Sequence, residues 1–372
     1  MQGHPWVFSG AIGAWSTTPR PGQSVDVVSA NGDWLARGLA HPAGNLAVQV
    51  YTRDESQALS ADFFRARLAA AIDWRERVVL PQEPDTDSFR LCFSEADGLS
   101  GLIVDRYADR ALMQISAPSL APYIPVFKDE LSAHGLEPLV EQVEEAAPGS
   151  PSAPVVSRPV TIRESGLRFE MDLGGGQKTG FYLDQRVNRR RAAAYAAGRR
   201  CLSAYCYTGS FETHFVRAGA ASVTGLDRSE PALALARRNQ ALNPGPVSVD
   251  YHAADVPTML RKYRDSRTSF DLIVLDPPKF VASQGQIDKG LRAYKDINLL
   301  AMKLLTPGGI LVTFSCSGWV KAETFRTALE WAAADAGRDA QILEPLAQPP
   351  DHPVHISFPE GDYLCGFILR IA

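Results

Sequence analysis

Two short segments combine reactive and rigid residues. Cys316 lies between small polar neighbours in Thr313–Gly318. Its thiolate could attack a pyrimidine ring carbon and make the adjacent carbon nucleophilic. Asp276 begins the segment Asp276-Pro277-Pro278-Lys279-Phe280, whose prolines hold the backbone extended. Such an arm could hold the polar edge of a base, with Phe280 free to stack. Residue type alone also fits a small buried cysteine and an ordinary turn.

Other segments could bind a nucleoside. Cys206-Tyr207-Thr208-Gly209-Ser210-Phe211 forms a tight turn before a helix, and Gly209 would let the backbone approach a ligand closely. Asp227 ends the next apolar run, where an acid can accept both ribose hydroxyls. Asp255 follows a third run and could accept an adenine amino group. Each aspartate could instead cap a helix, but two at successive strand ends favour a ligand.

Glu212 lies just inside the first helix of this region. A pyrophosphate would require a helix N-terminus free of acids. This position therefore favours S-adenosylmethionine over NAD.

A basic run follows the segment Gln177–Arg186. It contains no acid between residues 186 and 200. Such a run can contact nucleic-acid phosphates, or it can form a solvated helix face, and both interpretations remain open. Its arginines are Arg186, Arg189, Arg190, Arg191, Arg199 and Arg200.

Apolar runs and helical patterns alternate from about residue 165 onward. This order predicts a parallel sheet covered by helices on both faces. Ligands of such sheets bind beyond the carboxyl ends of the strands, where the segments above are expected to meet. The predicted strands are 201–205, 222–226, 247–251, 270–275, 309–314 and 363–371, and the predicted helices are 209–218, 229–242, 256–263, 289–305 and 321–336.

The part of the chain before residue 165 shows a different pattern, in which strands predominate. Strands at 24–28 and 34–39 flank an Asn-Gly turn, which predicts a hairpin within a small β module. Ser60 can cap a helix whose apolar residues recur every four positions and which Pro81 ends. A β-rich block, a helix at 122–134 and a solvated linker at 141–159 complete a predicted central domain.

Composition excludes several classes of protein. The chain has 372 residues, 45% of them hydrophobic and 22% charged, with a net charge of −4. It is too apolar for a disordered chain, and its charge gives no global attraction to nucleic acid. Five scattered cysteines exclude a disulfide scaffold and match no zinc motif, so we expect no metal. Without a signal peptide or an apolar span, a cytoplasmic protein is expected.

Five motifs together resemble the bacterial PUA-domain-containing methyltransferases that form 5-methylcytosine in 23S ribosomal RNA, the RlmI-like group. The resemblance extends over nearly the whole chain and is most specific at residues 176–186. The motifs are His4–Gly10, Ser94–Tyr107, Gly176–Arg186, Asp276–Phe280 and Ser315–Gly318.

The resemblance implies three domains: a PUA-like RNA-binding module at 1–58, missing the usual first strand, a central α+β domain at 59–160, and a Rossmann-like class I methyltransferase domain at 161–372. The last would contain a mostly parallel seven-stranded sheet. Its expected partner is 23S rRNA or an assembling large ribosomal subunit, and relatives suggest a homodimer.

The resemblance also implies site residues. Cys316 would attack cytosine C6, with Asp276 and Lys279 as further catalytic residues. Expected S-adenosylmethionine contacts are Gln185, Arg186, Tyr207, Thr208, Gly209, Ser210, Phe211, Asp227, Asp255 and Asp276. Expected substrate contacts are Lys178, Phe181, Pro277, Pro278, Phe280, Arg189 and Arg190.

Two alternatives remain. The methyl group could go to another position, such as an RNA base nitrogen, without a cysteine nucleophile. The chain could also be a non-catalytic ribosome-assembly factor that binds RNA, although intact strand-end acids argue against a purely structural sheet.

Overall fold

The computed structural model describes residues 3–142, 157–174 and 181–372. Two compact units can be separated. The first comprises Met1–Ser165 and Pro350–Gly361, and the second comprises Gly166–Pro349 and Asp362–Ala372. No helix within the described ranges is long and apolar enough to cross a membrane.

The first unit begins with a four-stranded antiparallel sheet in the order β1-β4-β3-β2. Its strands are β1 (Trp6–Phe8), β2 (Ser24–Val28), β3 (Trp34–Ala40) and β4 (Leu46–Thr52). The predicted hairpin is confirmed, because Val25 of β2 is paired with Gly38 of β3.

A second sheet in this unit has the order β5-β6-β7-β8. It packs with α1, whose buried residues Phe64, Leu68 and Ile72 lie on the predicted face. The Ser60 hydroxyl caps α1 by accepting a bond from the Phe63 amide at 3.2 Å. The elements are α1 (Ala61–Trp74), β5 (Ser88–Phe93), β6 (Leu102–Tyr107), β7 (Arg110–Ile115), α2 (Ile124–Ala133), β8 (Glu137–Gln142) and β9 (Pro159–Glu164).

One expectation for this unit was wrong, and another lies mostly outside the described residues. Helical turns continue from Arg75 to Gln82, so Pro81 lies within the last turn and does not end the helix before it. The predicted linker at 141–159 overlaps strands at both ends, because β8 pairs in parallel with β7 up to Gln142 and β9 begins at Pro159. Residues 143–156 lie outside the described ranges.

The second unit is built around a seven-stranded sheet, as predicted. Its order is β13-β12-β11-β14-β15-β17-β16, parallel except for the pairs that β17 makes with β15 and β16. The central run Leu272–Leu275 is entirely buried, as strands covered on both faces require. Its strands are β10 (Leu167–Asp172, outside this sheet), β11 (Arg200–Ala204), β12 (Ser222–Asp227), β13 (Val249–Ala253), β14 (Phe270–Leu275), β15 (Leu305–Ser315), β16 (Ala340–Ala347) and β17 (Cys365–Ile371).

Six helices accompany this sheet, and five of them were predicted to within a few residues. They are α3 (Arg186–Ala193), α4 (Ser210–Arg217), α5 (Glu230–Leu242), α6 (Val256–Asp265), α7 (Ile287–Leu304) and α8 (Ala322–Ala336). Strands β10 and β16 were missed. Strand β16 lies at an edge of the sheet, and buried and exposed residues do not alternate clearly along it.

Candidate active site

A cavity of about 830 Å³ lies at the carboxyl ends of the strands in the second unit. Four of its lining residues lie at the ends of four parallel strands or just after them. Asp227 ends β12, Asp255 follows β13, Asp276 follows β14 and Cys316 follows β15. Because these strands run parallel in one sheet, with β11 between β12 and β14, residues far apart in sequence meet at one edge, as the sequence predicted.

The loop between β11 and α4 has an unusual backbone. Tyr205 and Tyr207 have φ values of 65° and 47°, a region that bulky residues rarely adopt. Asp227 holds this loop, because its Oδ2 accepts a bond from the Tyr207 amide at 3.0 Å. Its Oδ1 accepts a bond from the Ser229 amide at 2.9 Å. Strained residues of this kind often mark ligand-binding sites.

Asp255 caps a helix and also lines the cavity. Its Oδ1 caps α6 by accepting bonds from the Thr258 amide at 3.1 Å and the Thr258 hydroxyl at 2.6 Å. The Thr258 hydroxyl bond, aided by the amide, lowers the pKa of Asp255. The carboxylate also lines the cavity, so capping and ligand binding do not exclude each other here.

Gly209 is closely packed beneath the loop. It is absent from the cavity lining, and a Cβ at this position would lie 2.5 Å from Tyr251 Oη and 2.9 Å from Ala236 Cβ. With φ at +81°, the glycine therefore permits this close packing, and its predicted contact with the cofactor stays a prediction. The neighbouring residues Tyr207, Thr208, Ser210 and Phe211 do line the cavity.

Glu212 is fully buried inside the second unit. Burial raises the pKa of its carboxyl to about 7, against an opposing hydrogen bond from Ser203. The carboxyl does not line the cavity. The acid that favoured S-adenosylmethionine over NAD in the sequence is therefore enclosed by protein and does not face a ligand directly.

Asp276 faces the cavity and has an unusual ionisation. Gln185 Nε2 donates to its Oδ1 at 3.1 Å, and Asn188 Nδ2 in turn donates to Gln185 Oε1 at 2.7 Å. The surrounding protein desolvates the carboxyl, and the charge of Asp184 adds to this effect, raising the pKa of Asp276 to about 7. At neutral pH its protonated and ionised forms are both present.

The Cys316 thiol is partly exposed to the same cavity. Its Sγ donates to the Pro277 carbonyl at 3.7 Å. Burial, and then the charges of Asp276 and Asp184, raise the pKa of this thiol to about 12, while Lys279 opposes them. Pro278, Lys279 and Phe280 also line the cavity. The arm after β14 and the cysteine after β15 therefore meet, as expected.

The basic run is not an exposed helix face. Arg186 and Arg189 are 1% exposed, and Arg189 bonds the Tyr182 carbonyl at 2.9 Å while lying over the Phe181 ring. Arg186 was predicted to contact the cofactor, and Arg189, Arg190 and Phe181 were predicted to contact the substrate. Arg189 lines the cavity, whereas Arg186, Arg190 and the buried Phe181 do not. Lys178 lies outside the described residues. Arg191 pairs with Glu344 and Arg200 with Asp271, while Arg190 is exposed.

Several lining residues were not expected from the sequence. Tyr182 and Asp184 belong to the recognised segment that ends at Arg186, so that motif could have indicated them. Tyr363 comes from the C-terminal part of the chain, and its hydroxyl donates to Asp184 Oδ2 at 2.6 Å. No local pattern marks it. Within the described ranges, no group of three or more His, Cys, Asp or Glu residues could hold a metal ion.

The fold and the cavity define a Rossmann-like α/β enzyme for a nucleoside-containing cofactor. The donor set fits S-adenosylmethionine: carboxylates at successive strand ends suit ribose hydroxyls and an adenine amino group. The volume suits one ligand of that size together with part of a substrate.

Comparisons with known proteins agree with this fit. The family model for S-adenosylmethionine-dependent methyltransferases matches residues 150–359, and the model for a PUA-like domain matches residues 1–53. The ribosomal RNA large subunit methyltransferase I of Shewanella denitrificans is 40% identical over 388 residues, which cover 99% of this chain and 95% of that protein. The Aeromonas hydrophila protein of the same name is 40% identical over 387 residues, covering 100% and 96%.

A solved S-adenosylmethionine-dependent methyltransferase from Streptococcus mutans has the same fold. It is 19% identical, has a TM-score of 0.82, and matches 99% of this chain and 96% of its own. The chain belongs to the S-adenosylmethionine-dependent methyltransferase family that these relatives represent, and S-adenosylmethionine is its cofactor.

Proposed function

We propose that this protein methylates C5 of a cytosine in the RNA of the large ribosomal subunit, using Cys316 as the nucleophile. The single observation that supports this proposal best is the meeting of two groups. The Cys316 thiol lies 3.7 Å from the Pro277 carbonyl, beside Asp276, in the cavity that the cofactor-binding acids also line. The RNA substrate is inferred from the names of the curated relatives.

In the proposed reaction Cys316 forms and then breaks a covalent bond to the base. Cys316, as a thiolate, forms a bond to C6 of cytosine, and the electron pair moves to C5. S-adenosylmethionine, when bound, would supply the methyl group to C5, and its sulfonium C–S bond would break to leave the neutral thioether S-adenosylhomocysteine. Loss of the C5 proton to a base then re-forms the double bond and expels the thiolate.

Asp276 would hold the N3 and N4 edge of the cytosine. Its protonated form can donate to N3, which draws electrons from the ring and makes C6 more electrophilic. Because the pKa of Asp276 is about 7, this form is available at neutral pH. Protonation also removes one negative charge that opposes ionisation of Cys316.

A matched pair of cysteine variants tests the nucleophile. Cys316→Ala should abolish methylation of an unmodified 23S rRNA transcript with S-adenosylmethionine. Cys365→Ala should retain it. The two thiols are matched, because burial raises the pKa of Cys365 to about 12 as well. Cys365 bonds the Val320 carbonyl and does not line the cavity. Bisulfite sequencing would identify the methylated cytosine.

The neutral Cys316 thiol supports a second candidate, which is methyl transfer to a base nitrogen held by Asp276 and the Pro277 carbonyl. Under that mechanism Cys316→Ala would methylate at nearly the wild-type rate, and mass spectrometry of the digested product would show an N-methylated nucleoside and no 5-methylcytidine. That pair of results would reject the cytosine-C5 proposal.

A further inference from the structure

A buried network of hydroxyl groups lies beneath the proposed nucleophile. Tyr294 on α7 is fully buried, and so are Ser315 and Ser317, the two residues that flank Cys316. Ser315 Oγ lies 3.0 Å from Tyr294 Oη, which lies 3.1 Å from Ser317 Oγ. One phenol therefore contacts the chain on both sides of the cysteine.

The same network reaches the arm that follows Asp276. The Val281 amide, immediately after Phe280, donates to Ser317 Oγ at 3.3 Å. The Tyr294 ring also packs against Phe280, with 4.8 Å between ring centroids. Tyr294 thus joins the two segments whose contact, Cys316 Sγ to Pro277 O, supports the proposed function.

Tyr294 is itself firmly held. Asn298 Nδ2 donates to its carbonyl at 2.8 Å, and Phe325 contacts its ring at 5.3 Å. Burial raises the pKa of its hydroxyl, so the group stays neutral, and Tyr294 does not line the cavity where a substrate would bind. A neutral hydroxyl that both donates and accepts suits a structural link between two serines.

We infer that Tyr294 is a positioning residue, which fixes the Cys316 thiol against the arm that holds the base. This inference rests on the proposed function. If Ser315 donates to Tyr294 and Tyr294 donates to Ser317, each of these two protons has one acceptor. Loss of the phenol hydroxyl would leave two buried serine hydroxyls without this partner and allow the turn at 315–317 to shift.

The test uses a 23S rRNA transcript that contains 5-fluorocytidine. Fluorine replaces the C5 proton that a base must remove to release the enzyme. Methylation by the proposed route therefore stops at the covalent protein–RNA adduct. Tyr294→Phe keeps the ring and removes the hydroxyl. We expect adduct formation in single turnover to slow about tenfold to a hundredfold, because small misplacements of reacting groups have large effects. The Kd for S-adenosylmethionine should stay unchanged.

Three further variants separate positioning from general destabilisation. Ser317→Ala should slow the adduct similarly, and the double variant Tyr294→Phe/Ser317→Ala should be no slower than either single variant. Ile273→Val, in the centre of β14, removes a buried methylene group and leaves all three hydroxyls of the network in place. It should lower the Tm by a comparable amount and leave the adduct rate at the wild-type level.

The outcomes are distinguishable. Wild-type adduct formation in Tyr294→Phe, with none in Cys316→Ala, would overturn the role of Tyr294 and leave the proposed function standing. An equal slowing in Ile273→Val would also overturn it. If Cys316→Ala methylates unmodified RNA normally and the wild type forms no adduct, the proposed function fails, and this inference fails with it.

Discussion

At the scale of single residues, the ionisation of two neighbouring groups predicts the pH dependence of the reaction. The proposed mechanism requires protonated Asp276 and ionised Cys316 together, with pKa values of about 7 and about 12. Below pH 7, kcat/KM should rise tenfold per pH unit as the thiolate fraction grows. Above pH 7 the loss of protonated Asp276 cancels that growth, so the profile becomes level.

Asp276→Asn replaces the carboxyl that donates to cytosine N3 by an amide, which does not titrate in this range. In this variant kcat/KM should continue to rise between pH 7 and pH 9, because only the thiol still ionises. Initial rates on the 23S rRNA transcript with chemistry limiting would show it. A variant profile that levels near pH 7, as in the wild type, would mean that Asp276 does not set the break.

Residue types predicted one part of the site well. The sequence predicted that four residues meet: Asp227, Asp255, Asp276 and Cys316. This prediction needed only the order of strands and helices, which local sequence gives, and the rule that ligands bind at the carboxyl ends of parallel strands. The basic run was different. Its ion pairs with Glu344 and Asp271 involve residues 71 to 153 positions away, which no local pattern reveals. Tyr294 looked like any buried aromatic residue on α7.

At the scale of elements, the loop from β11 to α4 depends on one glycine and its packing. Gly209→Ala would force a methyl group to within 2.5 Å of Tyr251 Oη at a φ of +81°. We expect the loop to shift and the Kd for S-adenosylmethionine to weaken about tenfold or more, since the bond from the Tyr207 amide to Asp227 would be disturbed. Calorimetric titration would measure this.

Gly219→Ala is the matched control. Gly219 follows α4 with a φ of +83°, and a Cβ there would meet nothing within 4 Å. Both variants bear a similar backbone strain of roughly 1 kcal/mol, but only the first has the steric clash. Equal losses of cofactor affinity in the two variants would show that backbone strain, and not packing under the loop, is responsible.

Elements were easier to predict than their roles. Helix α1 and the hairpin β2–β3 follow from periodicity and turn residues, and both are confirmed. Strand β16 has no clear alternation and was missed. Gly209 was correctly singled out, but its true partners, Tyr251 and Ala236, come from other elements. Turn chemistry alone therefore could not show what its missing side chain avoids.

At the scale of the whole molecule, the chain returns late to its first unit. Residues 350–361 belong to that unit, although all but the last two lie within the stretch 150–359 that the methyltransferase family model matches. Asp351 is fully buried there, and its Oδ2 accepts a bond from the Arg90 amide in β5 at 2.9 Å. Its carbonyl accepts from Arg75, which also pairs with Asp97.

Asp351→Ala should therefore destabilise the first unit selectively. Loss of this buried carboxylate removes the bond that it accepts from the part-buried Arg90 amide, which costs about 1 to 3 kcal/mol. Hydrogen-exchange mass spectrometry should show faster exchange in β5, with protection of β17 in the second unit unchanged. Asp362→Ala, an exposed neighbour in sequence, should change neither. Equal loss of protection in both strands would show that the two units unfold as one, and that the late return of the chain stabilises the whole molecule.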